Sequence, residues 1–158
     1  MKVDAPEFPA VRIQRTIAAP AHHVFRAWLD PATLGRWLAP GGFVVKKVEV
    51  EERVGGRFSV WELDGDLDIG GFEAEILELV PDRKLAFRWG FVGPERQADP
   101  RFDSTLTIEL RELTATTTML TLTHERLEGL AAAMPEVAGG VGRGWELALA
   151  KLIVEIEK

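Results

Sequence analysis

Few side chains in these 158 residues can do chemistry, because the sequence has no Cys, no Tyr and three His. Without thiols there are no disulfides, no thiolate metal sites and no Cys nucleophile. His22 and His23 are neighbours on a helical stretch, so their rings diverge by about 100° and do not converge on one ion. His124 alternates with Leu120 and Leu122, which puts a titratable ring on an apolar strand face. Such a ring is either a hydrogen-bonded structural residue or an acid–base group. Glu62, Glu73, Glu75 and Glu78 are the carboxylates that neighbouring strands offer, and burial would raise the pKa of whichever one faces a closed pocket. Glu73 and Glu75 share one strand face and Glu78 shares the other with Ala74 and Ile76; alternation leaves open which acid points inward. Ser59 and Ser104 lie in no nucleophile-elbow context, and no Ser-His-Asp signature accompanies them, so covalent catalysis is disfavoured.

Two further patterns resemble ligand sites and fail on context. Asp64, Asp66, Asp68 and Glu75 occupy relative positions 1, 3, 5 and 12 of a calcium loop. Ile69, however, stands where the sharp-turn glycine belongs, and strands flank the segment where a calcium loop has helices. An exposed hairpin with acidic residues at its tip is the better account. Gly140, Gly142 and Gly144 suggest a nucleotide-binding loop, yet Trp145 falls where the motif's last glycine should be and no parallel βαβ pattern surrounds it. No metal site and no cofactor is implied.

The elements that must position these residues follow from periodicity. Val11, Ile13 and Ile17 alternate with polar neighbours, which predicts a strand ending at Pro20. Val24, Phe25 and Trp28 have helical spacing, and Asp30-Pro31 ends that helix and caps a second through Leu34 to Leu38. Strand patterns then run over 43–50, 57–63, 72–80, 84–91, 104–113 and 117–125, separated by Gly55-Gly56, Asp64-Gly65, Pro81-Asp82 and Gly93-Pro94 turns. A last helix is predicted over 141–156, with Trp145, Ala148, Leu149, Leu152, Ile153 and Ile156 on one face. Seven strands and one long amphipathic helix have an economical solution, an α+β fold in which a curved antiparallel meander wraps the C-terminal helix.

Composition bounds the partners. At 46% hydrophobic and 28% charged residues, the length suits one domain. Residues 1–9 lack periodicity and read as an N-terminal extension to a domain over 10–158. The net charge is −6 and the 19 Lys and Arg are scattered, so there is no basic stripe for nucleic acid. No apolar run reaches signal-peptide or membrane-spanning length, so the expectation is a soluble cytoplasmic protein without a membrane partner.

The run Ala19-Pro20, Val24-Phe25, Ala27-Trp28, Asp30-Pro31, Leu34 and Trp37 resembles the opening of the START-like, Bet v-type (SRPBCC) helix-grip superfamily. Gly42-Phe43, Gly55-Gly56-Arg57-Phe58, the stretch from Leu79 to Leu85 leading to Trp89, Leu122-Thr123-His124-Glu125 and Gly144-Trp145 follow in order. Within the superfamily the chain is similar to homologues of the C-terminal domain of the activator of the heat-shock-protein-ninety ATPase, from residue 10 to its end. Such proteins often carry a second Trp where this chain has Leu38, and a His where it has Gly140-Val141-Gly142. The resemblance implies a helix-grip fold with a cavity between sheet and helix, used by some relatives for cyclisation, transport or self-resistance to a small toxin.

The candidate ligand-binding residues are those the fold turns inward. They are Phe58 and Val60, Phe72 and Ala74, Phe87 and Trp89, Leu106, then Leu122 and His124, with Trp37 and Phe43 from the segment before the meander. Gly144, Trp145 and Ala148 face them from the helix, where small side chains leave room. Any one of these residues could equally fill a core. The favoured function is non-enzymatic binding of a hydrophobic or aromatic small molecule. A cofactor-independent cyclase- or hydratase-like enzyme is the first alternative, and a co-chaperone-like module with a chaperone partner is the second. Pairing of two copies is left open.

Overall fold

Alternation of apolar and polar residues becomes alternation of burial. In the seventh strand Thr118, Leu120, Leu122 and His124 are buried and the residues between them are not. The structure, a computed structural model, describes residues 8–158. Most of the expected extension over 1–9 therefore lies outside the described residues. The strands are β1 (Val11–Ile17), β2 (Val44–Val50), β3 (Arg57–Asp64), β4 (Leu67–Val80), β5 (Lys84–Val92), β6 (Phe102–Thr114) and β7 (Thr117–Glu125). The helices are α1 (Ala21–Ala27), α2 (Pro31–Trp37), α3 (Glu128–Ala133), α4 (Pro135–Gly139) and α5 (Val141–Ile156).

All strand pairs are antiparallel, in the order β1-β7-β6-β5-β4-β3-β2. The meander expected from the turns holds for β2 to β7, but β1 does not sit beside β2. The α1–α2 pair carries the chain across to the opposite edge, and β1 pairs with β7 with Ile13 opposite Leu122. Asp30 caps α2 as its sequence demands: one carboxylate oxygen accepts from the Thr33 amide at 3.0 Å, and Pro31 opens the helix. On the concave face, α5 buries Trp145, Ala148, Leu149 and Leu152. Each large side chain so buried contributes about 1.5–3 kcal/mol. Trp28 and Trp37 meet edge to face at 4.6 Å, and Trp28 lies 5.9 Å from Trp145, so the α1–α2 pair closes one end of the groove that holds α5.

Three further features were not in the expectation. β4 begins at Leu67, five residues before Phe72, because a tight hairpin turns at Gly65 (φ 61°) and Asp64 pairs with Leu67. The glycine pair Gly70-Gly71 hid this start, since Gly weakens strand patterning. Here it accommodates a register shift between Glu62 and Leu63, and a Cβ at Gly71 (φ 147°) would run into the Val60 carbonyl. Helices α3 and α4 were not expected, because Pro135 breaks the pattern after one turn. A further register shift falls in the edge strand β2 between Val45 and Lys47. No helix among the described residues is long and apolar enough to cross a membrane.

Glycine substitutions separate the sites where backbone approach is required from those where it is not. Gly71→Ala is expected to lower unfolding stability by about 2–4 kcal/mol. Gly35→Ala in α2, where an added Cβ meets nothing within 4 Å, should raise it by up to about 1 kcal/mol. Chemical denaturation of both variants checks the contrast.

Candidate functional site

The concave face is longer than α5 can cover. Where α5 begins, its first turns carry Gly142 and Gly144, and sheet and helix stand apart around a cavity of about 460 Å³. Trp89 and Phe91 of β5, Phe72 of β4 and Phe102 of β6 form the sheet side. Val141, Gly144, Trp145 and Ala148 form the helix side, and Leu130, Met134 and Val137 of the α3–α4 segment close a flank. Leu38, Pro40 and Phe43 complete the wall. Phe43, Met134 and Val137 are exposed at its rim. Aromatic contacts run from the solid core to the wall: Phe58 lies 5.7 Å from Trp89, Trp89 4.7 Å from Phe72, and Phe72 5.3 Å from Phe91.

Of the candidate ligand-binding residues, Phe43, Phe72, Trp89, Gly144, Trp145 and Ala148 line this cavity. Trp37, Phe58, Val60, Ala74, Phe87, Leu106, Leu122 and His124 do not; all are buried in the core. The reason is that one inward strand face serves two regions, and the middle and closed end are filled by α5 and the tryptophans of α1–α2. Trp37 donates its indole N–H to the Ala27 carbonyl at 3.0 Å, and Phe58 packs on Phe87 at 5.0 Å.

His124 is committed to structure. The Trp145 indole can only donate, and it donates to His124 Nδ1 at 2.9 Å. Nε2 then carries the ring proton and donates to Ser104 Oγ at 2.7 Å, and the Ser104 hydroxyl donates to the Trp89 carbonyl at 2.8 Å. Burial holds the imidazole neutral, with its pKa pushed down to about 3. Phe91 stacks on the ring at 5.6 Å. Every polar atom of His124 is used in fixing α5 to the sheet.

The four strand carboxylates separate cleanly. Glu62 follows Phe58 and Val60 on the inward face, is 5% exposed and forms part of the cavity wall. Its Oε1 has no hydrogen-bond partner. Burial raises its pKa to about 7, against the opposing charges of Lys151 and Arg96. Glu73 lies on the outer face; burial alone would raise its pKa, but bonds from Arg57, Arg96 and Ser59 outweigh that and hold it near 2. Glu75 pairs with Arg88 and Glu78 with Lys84, both away from the cavity. Asp68 accepts from the Gly70 amide at 2.9 Å. No three acidic or His side chains among the described residues are grouped to hold a metal ion.

Several wall residues escaped the sequence reading. Phe91 is two residues beyond Trp89 on the same face, and its half-burial marks the mouth. Glu62 was named without a face, although its i+2 and i+4 spacing from Val60 and Phe58 supplies one. Leu130, Met134 and Val137 recur at i, i+4 and i+7, a signal masked by Pro135. Leu38, Gly140 and Val141 are all in the wall.

A family model described as Activator of Hsp90 ATPase homolog 1-like protein matches residues 18–157. Protein CV1439 from Chromobacterium violaceum is 30% identical, with a TM-score of 0.76 over 97% of this chain and 99% of that one. CalU16 from Micromonospora echinospora is 26% identical over 93% of this chain and 73% of its own, with a TM-score of 0.66. An HSP90 activator from Plasmodium falciparum is 28% identical over 73% of this chain and 71% of its own, with a TM-score of 0.56. No curated protein matches.

The two buried titrating groups give opposite pH slopes. His124 has a folded pKa of about 3 against 6.5 for an ordinary His, so its contribution is complete above pH 6.5 and declines as pH falls. The decline is about 1.4 kcal/mol per pH unit between those two values. Glu62, at about 7 against 4.5, is favoured in its protonated form, so its contribution declines as pH rises from 4.5 through 7. The slopes should cancel between pH 4.5 and 6.5 and leave stability flat there, with a fall below 4.5 where Glu73 also protonates. Urea unfolding across pH checks this. In Glu62→Gln the flat region should become a continuous decline below pH 6.5.

Proposed function

This chain belongs to the Activator of Hsp90 ATPase homolog 1-like protein family, and from that premise we propose that it binds a hydrophobic or aromatic small molecule between its sheet and α5. The observation that carries the reading is the cavity itself, about 460 Å³ with a wall almost wholly of apolar and aromatic side chains. A volume of that size lies within the range of small-molecule sites. The apolar wall supplies affinity, and the polar chain through His124 keeps the two sides of the cavity at fixed separation.

An acid–base reaction in the same cavity is the second reading, and Glu62 is the observation that favours it. A buried carboxyl titrating at about 7 is matched to proton transfer near neutral pH. His124 has no free nitrogen for that role. Contact with a chaperone ATPase is a separate proposal that rests on the family description and on the Plasmodium activator alone.

Filling the cavity tests the binding role. An added Cβ at Gly144 meets only Pro40, at 3.9 Å, so Gly144→Leu places a side chain in the cavity while improving helix propensity. Against a panel of fatty acids, flavonoids and aromatic polyketides, at least one compound should raise the Tm of the unaltered protein. Gly144→Leu should abolish that shift without a lower Tm of its own. A panel with no effect on the unaltered protein, or shifts that survive Gly144→Leu, would remove the cavity as the site.

A further inference from the structure

The cavity wall has a charge character that its apolar bulk conceals. Its ionisable side chains are two carboxylates, Glu62 inside and Glu136 toward the rim, and no Lys, Arg or His lines it. Around them stand Phe43, Phe72, Trp89, Phe91, Phe102 and Trp145. Aromatic faces carry the negative part of the ring quadrupole and attract cations, the more so where water is excluded. Glu62 is 5% exposed with Oε1 unbonded, a costly arrangement unless a donor arrives from within the cavity.

Resting on the binding role proposed above, we infer that the cavity selects a hydrophobic organic amine, held as its ammonium cation with the Glu62 carboxylate as counter-charge and the aromatic wall around its apolar body. Lys151 on α5 and Arg96 in the β5–β6 loop are the cations whose fields reach Glu62. Lys151 is committed elsewhere, and so are both terminal nitrogens of Arg96, its buried Nε alone lacking a partner. Lys151 donates to the Ala39 and Phe43 carbonyls, and Arg96 to the Val60 and Phe72 carbonyls and to Glu73. Neither forms an ion pair with Glu62, whose carboxylate keeps its capacity for a ligand. A neutral hydroxyl would meet the hydrogen-bonding need of Oε1, but only a cation also answers the two carboxylates and the ring faces, and an anion is repelled by all of them. The bound state requires ionised Glu62, whose carboxyl is about half ionised near pH 7 in the empty cavity. Affinity for an amine should therefore fall by about tenfold between pH 8 and pH 6, in proportion to the ionised fraction.

The test uses three probes of one shape, 2-naphthylmethylamine, 2-naphthylmethanol and 2-naphthoate, titrated calorimetrically into the full chain. At pH 8 the amine is expected to bind at least tenfold tighter than the alcohol and the carboxylate weakest. At pH 6 the amine's advantage should shrink by about tenfold while the alcohol stays unchanged. Glu62→Gln should erase the amine's advantage and retain alcohol binding. An alcohol that binds as tightly as the amine at pH 8, or an advantage that persists in Glu62→Gln, overturns the inference and leaves the binding role standing. Failure of all three probes to bind the unaltered protein overturns the inference, and the fatty acid, flavonoid and polyketide panel then decides the binding role. The pH series on the unaltered chain decides the matter by itself if Glu62→Gln does not fold.

Discussion

A buried imidazole that must stay neutral holds the two halves of this fold at a set distance. Trp145 on α5 donates to His124 on β7, His124 donates to Ser104 on β6, and Ser104 donates to the backbone of β5. Three strands and the helix are joined by one chain of bonds with no donor to spare. Such a chain is directional, so it fixes the rotation of α5 as well as its depth. Apolar packing alone would let the helix slide to fill the groove. With its N-terminal turns pinned at Trp145, α5 cannot drop toward Phe72 and Phe91, and the space between them persists.

Much of this was legible in the residues. The seven strands, the α1–α2 insert and the span of α5 came from periodicity and turn chemistry, and the superfamily resemblance came from spaced motifs no single one of which would suffice. The strand order was not legible in full, because nothing local in Val11–Ile17 says which edge it joins; that depends on how far the intervening helices carry the chain. The cavity was half legible. Alternation says which face a side chain is on, but not whether another element has already filled the space in front of it. Phe58 and Phe72 are one strand apart and both inward, yet one is core and the other wall, a difference set by where α5 starts. The role of His124 depended on a partner 21 residues away, beyond the reach of any local pattern.

Strands β3 and β4 hold similar acids in opposite states. Glu73 is surrounded by Arg57, Arg96 and Ser59 on the outer face and remains ionised far into the acid range, while Glu62 on the inner face has lost its water without gaining a bonded partner. Arg96 belongs to both settings. Its guanidinium sits against the Trp61 ring at 4.3 Å and bonds the carbonyls of Val60 and Phe72, beside the irregular register at Glu62. The loop that carries it also contributes Gly93 and Pro94 to the cavity wall, so the outer clamp and the inner wall are parts of one structural unit.

The bulge in β2 bears on how the molecule behaves in company. β2 pairs only with β3 and so presents one side of its backbone to the surroundings. An uninterrupted row of amides and carbonyls there would be a template for docking a strand from a neighbour. The break between Val45 and Lys47 interrupts the row, and the exposed Lys46 and Lys47 put two ammonium groups beside it. Polymerisation by sheet extension is thereby discouraged at this border.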